Sequence, residues 1–229
     1  MTDIFREVEE DVRSARLKGL WDRYGLLVIG SAFAIVVVTG IWVYWQDMQR
    51  GQREAAADQF LAGEKLLLDG KPVEAAAHFA EMASETRIGG YALLARMKEA
   101  AAKVDAGDGQ GAVAAYDALA ADSAMDPLLR AVSSLKASLL LFDTASPDEL
   151  KLRLNPLAKD ESPVRHSARE MLAFLALREN SIDEARKQFQ MLADALDAPQ
   201  GIRARAAEIL RTLPPVIVAA PPSAGPVKK

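Results

Sequence analysis

One long stretch of the chain contains only apolar and uncharged positions. Residues 24–45 read YGLLVIGSAFAIVVVTGIWVYW. As a helix rising about 1.5 Å per residue, this stretch is about 33 Å long, close to the ~30 Å hydrocarbon core of a bilayer. Tyr24, Trp42, Tyr44 and Trp45 stand near its ends, and such residues favour the membrane–water interface. The pattern predicts an uncleaved transmembrane helix over 24–45; a buried core helix and a cleaved signal peptide are the alternatives.

Beyond the apolar stretch, apolar positions recur with a helical period in four segments. In each segment a lead residue is followed by apolar residues four, seven and eight positions later, which places them on one stripe of a helix. The lead residues are Ala75, Ala112, Leu150 and Ala185. A small residue precedes each of them by twelve positions, in order Gly63, Ala100, Ser138 and Ala173. Turn-forming residues lie between the two halves, so the pattern predicts four antiparallel helix pairs that stack on one another.

This pattern resembles the tetratricopeptide repeat, which has a small residue in its first helix, alanine twelve positions later and an aromatic residue four beyond that. The aromatic residues of units one, two and four are Phe79, Tyr116 and Phe189. The third unit has Leu154 instead, and Pro156 shortens or kinks its second helix. Generic amphipathic helices in an alanine-rich protein are the alternative. We therefore expect an all-α fold, in which one N-terminal transmembrane helix precedes a tetratricopeptide-like helical-repeat solenoid.

The predicted organisation has four parts. Residues 1–23 form a cytoplasmic N-terminal arm, 24–45 the transmembrane helix, 46–213 the repeat domain with about four helix pairs and a capping helix, and 214–229 a proline-rich disordered tail. Four basic residues lie close before the span, whereas only Arg50 and Arg53 lie close after it. This bias favours a cytoplasmic N-terminus and a repeat domain outside the inner membrane.

Composition and motifs narrow the range of functions. The net charge is −4, and no cluster of Arg and Lys is interleaved with aromatic residues, so nothing indicates nucleic-acid binding. The chain has no cysteine, which excludes disulfides, thiolate metal sites and a cysteine nucleophile. His78 and His166 have no acidic or nucleophilic partner at a motif spacing. We predict no catalytic residue, cofactor or metal, and therefore a protein-binding module rather than an enzyme.

The resemblance to tetratricopeptide repeats also implies where partners bind. In such repeats, first-helix residues at offsets of −3, +1 and +4 from the small residue line the concave face. Most of these positions carry large apolar side chains, which suit apolar segments of varied sequence. The predicted protein-binding groove consists of Phe60, Leu67, Met97, Val104, Leu135, Leu139, Phe142, Phe174 and Leu177. The alternative is that many of these side chains are buried against neighbouring helices or a partner subunit.

The charged arm, the single uncleaved span and the degenerate repeats together resemble the YfgM family, the ancillary subunit of the SecYEG translocon. The resemblance covers nearly the whole chain, up to residue 213, and leaves out the proline-rich tail. It implies a type II protein of the bacterial inner membrane with a periplasmic C-terminal domain. It also implies association with SecYEG and the membrane-bound periplasmic chaperone PpiD, and assistance to exported client polypeptides. A scaffold for another cell-envelope assembly complex is the alternative function.

Overall fold

The structure is a computed structural model that describes the backbone of residues 3–86 and 89–214, and the side chains of those residues from 21 onward except 22 and 28. All regular elements of this part of the chain are helices. They are α1 (Asp3–Leu68), α2 (Pro72–Glu85), α3 (Gly89–Asp105), α4 (Gly109–Ala121), α5 (Pro127–Leu140), α6 (Pro147–Leu154), α7 (Arg165–Arg178), α8 (Ile182–Asp194) and α9 (Gln200–Thr212).

The chain divides into two compact units, Met1–Asp58 and Gln59–Lys229. The boundary falls inside α1, which includes the predicted arm from Asp3, the predicted span and the first helix of repeat one. Within the second unit, the end of α1 pairs with α2, followed by the pairs α3–α4, α5–α6 and α7–α8 and the single helix α9. The prediction of an all-helical, tetratricopeptide-like solenoid is confirmed. Of the predicted proline-rich tail, only Pro214 lies within the described residues.

Three of the four repeats share the same turn between their two helices. Gly70, Gly107 and Asn180 have positive φ angles of 72°, 78° and 58°, and each lies seven positions after the small residue of its repeat. Glycine adopts this conformation without steric cost, and asparagine tolerates it. In the first turn the Lys71 N–H donates to the Leu66 carbonyl at 2.9 Å, which satisfies a carbonyl that the helix end leaves unpaired. The turn residues read from the sequence therefore close these helix pairs.

The third repeat departs from this geometry. Its counterpart of the glycine is Ala145, which has no positive φ, and residues 141–146 link α5 to α6. The Ser146 hydroxyl caps α6 by accepting a hydrogen bond from the Glu149 N–H at 3.2 Å. This helix has only 8 residues. It ends shortly before Pro156, as predicted, because a proline inside a helix clashes with the preceding turn and lacks an N–H.

The repeat register read from the sequence coincides with the core. The four small residues of the first helices and the four lead residues of the second helices are all buried. Buried side chains of α3, α4 and α5 form one cluster around Tyr116 and Leu119. Those of α6 and α7 form a second cluster around Leu154 and Leu175, and those of α7, α8 and α9 a third around Phe189. Each cluster draws on successive helices, so the helices from α3 to α9 share their buried apolar side chains with their neighbours.

We expect Gly63→Ala to lower the free energy of unfolding by about 1 kcal/mol, although alanine favours helix over glycine. A Cβ atom at Gly63 would lie 2.6 Å from two ring carbons of Phe79. That ring is fully buried and lies against Phe60, so it has little room to move. Thermal unfolding of the full-length chain in detergent measures the effect.

The matched control for this change is Gly51→Ala in the same helix. A Cβ atom at Gly51 meets nothing within 4 Å, so alanine there should leave stability unchanged or raise it by up to about 0.5–1 kcal/mol. Shifts of the same sign and size in both variants would contradict the close approach of α1 and α2 at Gly63.

Candidate protein-binding surface

The structure divides the nine residues of the predicted groove into two groups. Val104 on α3 and Leu139 on α5 are exposed, with 37% and 62% of their surface accessible. The other seven side chains are half-buried: Phe60, Leu67, Met97, Leu135, Phe142, Phe174 and Leu177. The predicted groove therefore contains two open apolar positions among side chains that also contact the core.

Aromatic contacts show how the half-buried members are held. The Phe60 ring centroid lies 5.5 Å from that of Phe79 and 6.2 Å from that of Tyr91, so it joins α1 to both α2 and α3. Phe174 meets Phe189 edge-on, with ring centroids 5.2 Å apart. Other members pack on the buried clusters of the repeats: Met97, Leu135, Phe142 and Leu177. These contacts hold the half-buried side chains of the predicted groove in place.

Ion pairs join neighbouring repeats. Glu64 on α1 and Lys98 on α3 lie 2.7 Å apart. Arg153 on α6 donates two hydrogen bonds to Asp117 on α4, at 2.8 and 3.1 Å. Hydrogen bonding to this carboxylate raises the pKa of Arg153. Such bidentate pairs add geometric specificity to the energy of the contact. They therefore help to set the register between repeats.

The same arrangement recurs at the last repeat. Arg205 on α9 donates two hydrogen bonds to the buried carboxylate of Glu170 on α7, at 2.9 and 2.8 Å. The hydrogen bond from Arg205 to Glu170 raises the pKa of the guanidinium. Glu170 occupies a −3 position of its repeat, which the sequence assigns to the concave face. The capping helix α9 thus lies against this residue.

Two aspartates, the half-buried Asp122 and the exposed Asp197, lie in the turns that follow second helices. A hydrogen bond from Arg96, with nitrogen and oxygen 2.7 Å apart, holds the pKa of Asp122 below its usual 3.8. A hydrogen bond from Arg165, with nitrogen and oxygen 2.8 Å apart, likewise lowers the pKa of Asp197. The stability that these pairs contribute is therefore present above the usual pKa and is lost as the pH falls through the lowered value.

Both histidines make contacts that join elements of the repeats. The Nε2 atom of His78 lies 2.7 Å from the carbonyl oxygen of Gln59, which tethers α2 to α1. His166 is buried, and its Nε2 atom lies 3.3 Å from the carboxylate of Asp197. Sequence reasoning missed this acidic partner because it lies in the turn before α9, far from any motif spacing. No group of three or more potential metal ligands occurs in the part of the chain that the structure describes.

Arg178 is a further contact residue that sequence reasoning missed. Its guanidinium carbon lies 5.4 Å from the centroid of the Phe142 ring. It also donates hydrogen bonds to the carbonyl oxygens of Phe142 and Ala145, the latter at 3.0 Å. The Phe142 carbonyl lies at the carboxyl end of α5, where a cation is favoured by the helix dipole. The sequence shows only an arginine in the last turn of α7, because its partners belong to the preceding repeat.

The sequence of the chain matches a protein family described as a tetratricopeptide repeat-like domain over residues 18–210. The chain belongs to this family. The match begins ahead of the apolar stretch at 24–45 and ends within α9, so it extends over every helix of the tetratricopeptide-like domain.

Solved structures agree with this assignment. Two crystal structures of nearly identical tetratricopeptide-like repeats, from a Podosopora anserina protein described as a kinesin light chain, are similar to the chain. Their TM-scores are 0.52 and 0.51 at 15% sequence identity, with 68% of this chain and 83% of the other covered. At this identity the likeness concerns the fold alone. No curated protein matches the sequence significantly.

The tetratricopeptide-like fold is typically a non-enzymatic scaffold for protein–protein contacts. Stacked helix pairs expose an extended surface to which each repeat adds a few side chains. The family therefore supports a protein-interaction module, which agrees with the interpretation of the sequence. The role of the nine groove residues in binding stays a prediction.

Proposed function

We propose that this protein is a membrane-anchored protein-interaction module of the bacterial inner membrane. Its tetratricopeptide-like domain faces the periplasm and serves the Sec translocon as an ancillary subunit. In this role it contacts SecYEG, the chaperone PpiD and client polypeptides that have just been exported.

The observation that carries the membrane anchor is the exposure of α1. Large apolar side chains along the predicted span are exposed, among them Leu26, Phe33 and Trp45. Among the described residues, one helical stretch, Arg23–Leu68, is long and apolar enough to cross a membrane, and none of its most apolar part is buried. A soluble protein rarely exposes so large an apolar surface. A bilayer removes that surface from water, and the family match includes this stretch.

The orientation and the partners rest on the sequence. Basic residues are more frequent before the span than after it, which favours a cytoplasmic N-terminus and a periplasmic repeat domain. The order of arm, span and degenerate repeats resembles the YfgM family, which supports SecYEG and PpiD as partners. The exposed Val104 and Leu139 are the groove residues most accessible to a partner.

The test is site-specific photocrosslinking with the full-length chain in intact membranes. A photoreactive residue at Leu139 should capture SecYEG subunits, PpiD or exported clients, identified by mass spectrometry. The matched control is Leu152, which is also exposed but lies on the second helix α6. A reporter active only outside the cytoplasm, fused after Lys228, should be active. An inactive reporter, or capture only of another cell-envelope assembly, would overturn the translocon role.

A further inference from the structure

A pocket lies between the start of α7 and the end of α8, the two helices of the fourth repeat. Its volume is about 320 Å³, which is in the range of ligand sites and well above the ~30 Å³ share of one water molecule. It contains none of the nine residues of the predicted groove, so it is a separate feature of the repeat domain. The residues that line it are His166, Arg169, Gln188, Met191, Leu192 and Ala195.

His166 is a buried polar side chain of the pocket wall, and its hydrogen bonding is incomplete. The residue is 8% accessible. In the described part of the chain its Nδ1 atom has no hydrogen-bond partner, and its Nε2 contact with Asp197 lacks hydrogen-bond geometry. Buried polar atoms nearly always have a partner, because an unpaired one costs free energy. The pocket therefore offers a hydrogen-bonding atom that the repeat domain itself leaves unused.

The carboxylate of Asp197 decides which kind of partner His166 lacks. One of its oxygens lies 3.3 Å from Nε2, and an ionised carboxylate can only accept a hydrogen bond. It therefore favours the neutral tautomer of His166 that carries the proton on Nε2. In that tautomer Nδ1 is an acceptor, so the partner that the side chain lacks is a hydrogen-bond donor.

The charged groups around the pocket are already paired with one another. Arg169 forms an ion pair with Asp160, and Arg165 forms one with Asp197 at 2.8 Å. A charged ligand would lose its hydration here without gaining a free opposite charge. The pocket therefore favours a donor that carries no net charge.

The other side chains at the pocket suit an aromatic ring. Met191 is 50% accessible, and Leu196, in the turn after α8, is 89% accessible. Methionine sulfur makes favourable contacts with aromatic rings. A guanidinium such as that of Arg169 stacks on them, as the Arg178 guanidinium does in this chain, 5.4 Å from the ring of Phe142. A neutral ring that carries one hydrogen-bond donor matches all of these groups.

We propose that this pocket binds a tyrosine side chain of a partner protein. The phenol hydroxyl donates to Nδ1 of His166, the ring contacts Met191 and Arg169, and an apolar neighbour of the tyrosine covers Leu196. Tyrosine is frequent at the centres of protein interfaces, because its ring buries a large apolar area while its hydroxyl finds a partner. This inference rests on the proposed protein-binding function and adds a site of stated chemistry to it. It does not depend on the membrane topology or on the Sec translocon.

The test is a binding measurement with the purified full-length chain in a neutral detergent. Two fluorescent peptides of serine and glycine carry, next to one leucine, either a tyrosine or a phenylalanine. Their anisotropy, corrected for empty micelles, reports binding. The tyrosine peptide should bind about fivefold more tightly, the fold-change that one hydrogen bond of ordinary net strength produces. Equal affinities, or no binding of either peptide at millimolar concentration, would overturn the proposal.

The variant His166→Phe removes the acceptor but keeps a ring in the pocket wall. It should bind both peptides equally, because the phenol hydroxyl no longer has a partner. A purely structural role of His166 would instead lower the unfolding temperature of this variant and leave the preference for tyrosine intact in its folded fraction.

A second variant tests the pocket without touching its buried histidine. Met191→Ala should weaken both peptides about threefold, because the sulfur contact with the ring is lost. The matched control is Leu152→Ala, an exposed apolar position on α6 outside the pocket wall, which should leave both affinities unchanged. Equal weakening in the two variants would contradict binding at this pocket.

The outcomes separate this inference from the translocon role. Crosslinking that fails to capture the translocon, together with an intact preference for the tyrosine peptide, would remove the Sec role and leave the pocket standing. Capture of the translocon without any preference for tyrosine would overturn only the pocket.

Discussion

Replacing Phe189 with alanine lowers the free energy of unfolding of the repeat unit by about 3–5 kcal/mol. The Phe189 side chain is fully buried at the centre of the cluster formed by α7, α8 and α9. Its ring meets Phe174 edge-on at 5.2 Å. Truncation loses the favourable transfer free energy of the buried ring. It also leaves a cavity that the three packed helices can fill only in part. Chemical denaturation of the full-length chain in detergent, followed by circular dichroism, measures the loss.

Met191→Ala is the control on the same helix. This side chain is half exposed, so its truncation should change stability by less than about 0.5 kcal/mol. If both variants lost the same stability, α8 would not present Phe189 to the core, and the repeat register would be wrong.

Replacing Ala112 with phenylalanine is the second large effect, a loss of about 1–3 kcal/mol. Ala112 is fully buried on α4, which packs against α3, and Ala185 holds the same position in the fourth repeat. A benzyl group at either site forces the two helices of the pair apart. Thermal unfolding of each variant, compared with the unmodified chain, gives the loss.

The control is Ala118→Phe on the same helix α4, where the side chain faces solvent and the change should cost little. Ala145, which the sequence places in a turn, is not a suitable control. It packs against the cluster around Leu154 and its carbonyl accepts a hydrogen bond from Arg178. Equal tolerance of phenylalanine at Ala112 and Ala118 would contradict the close contact between α3 and α4.

The short α6 is held by buried leucines and by ion pairs to both neighbouring repeats. With 8 residues it offers little apolar surface, yet Leu150 and Leu154 are fully buried. Arg153 bridges back to Asp117 in the second repeat, and Lys151 bridges forward to Glu179 after α7, at 2.7 Å. Ion pairs to both neighbours hold this helix in the stack. Each exposed pair contributes only about 0–1 kcal/mol, so the buried leucines remain the larger effect.

The sequence by itself determined the features that depend on neighbouring residues. The period of apolar positions placed Phe79, Tyr116 and Phe189 in the core, because residues four apart share one face of a helix. Gly70 and Gly107 marked the turns, because glycine adopts a positive φ without steric cost. Pro156 predicted a short α6, since proline cannot continue a helix. Each of these signals acts within a few residues and needs no knowledge of the fold.

Only the tertiary structure decided which surface residues meet. The offsets that define the predicted groove treat all repeats alike, yet Leu139 is exposed while Leu135 packs on the core. Arg178 finds its carbonyl partners in the preceding repeat, and His166 finds Asp197 in the turn before α9. Such contacts depend on the rotation and translation between stacked helix pairs, which follow from the packing of many side chains at once and leave no local pattern in the sequence.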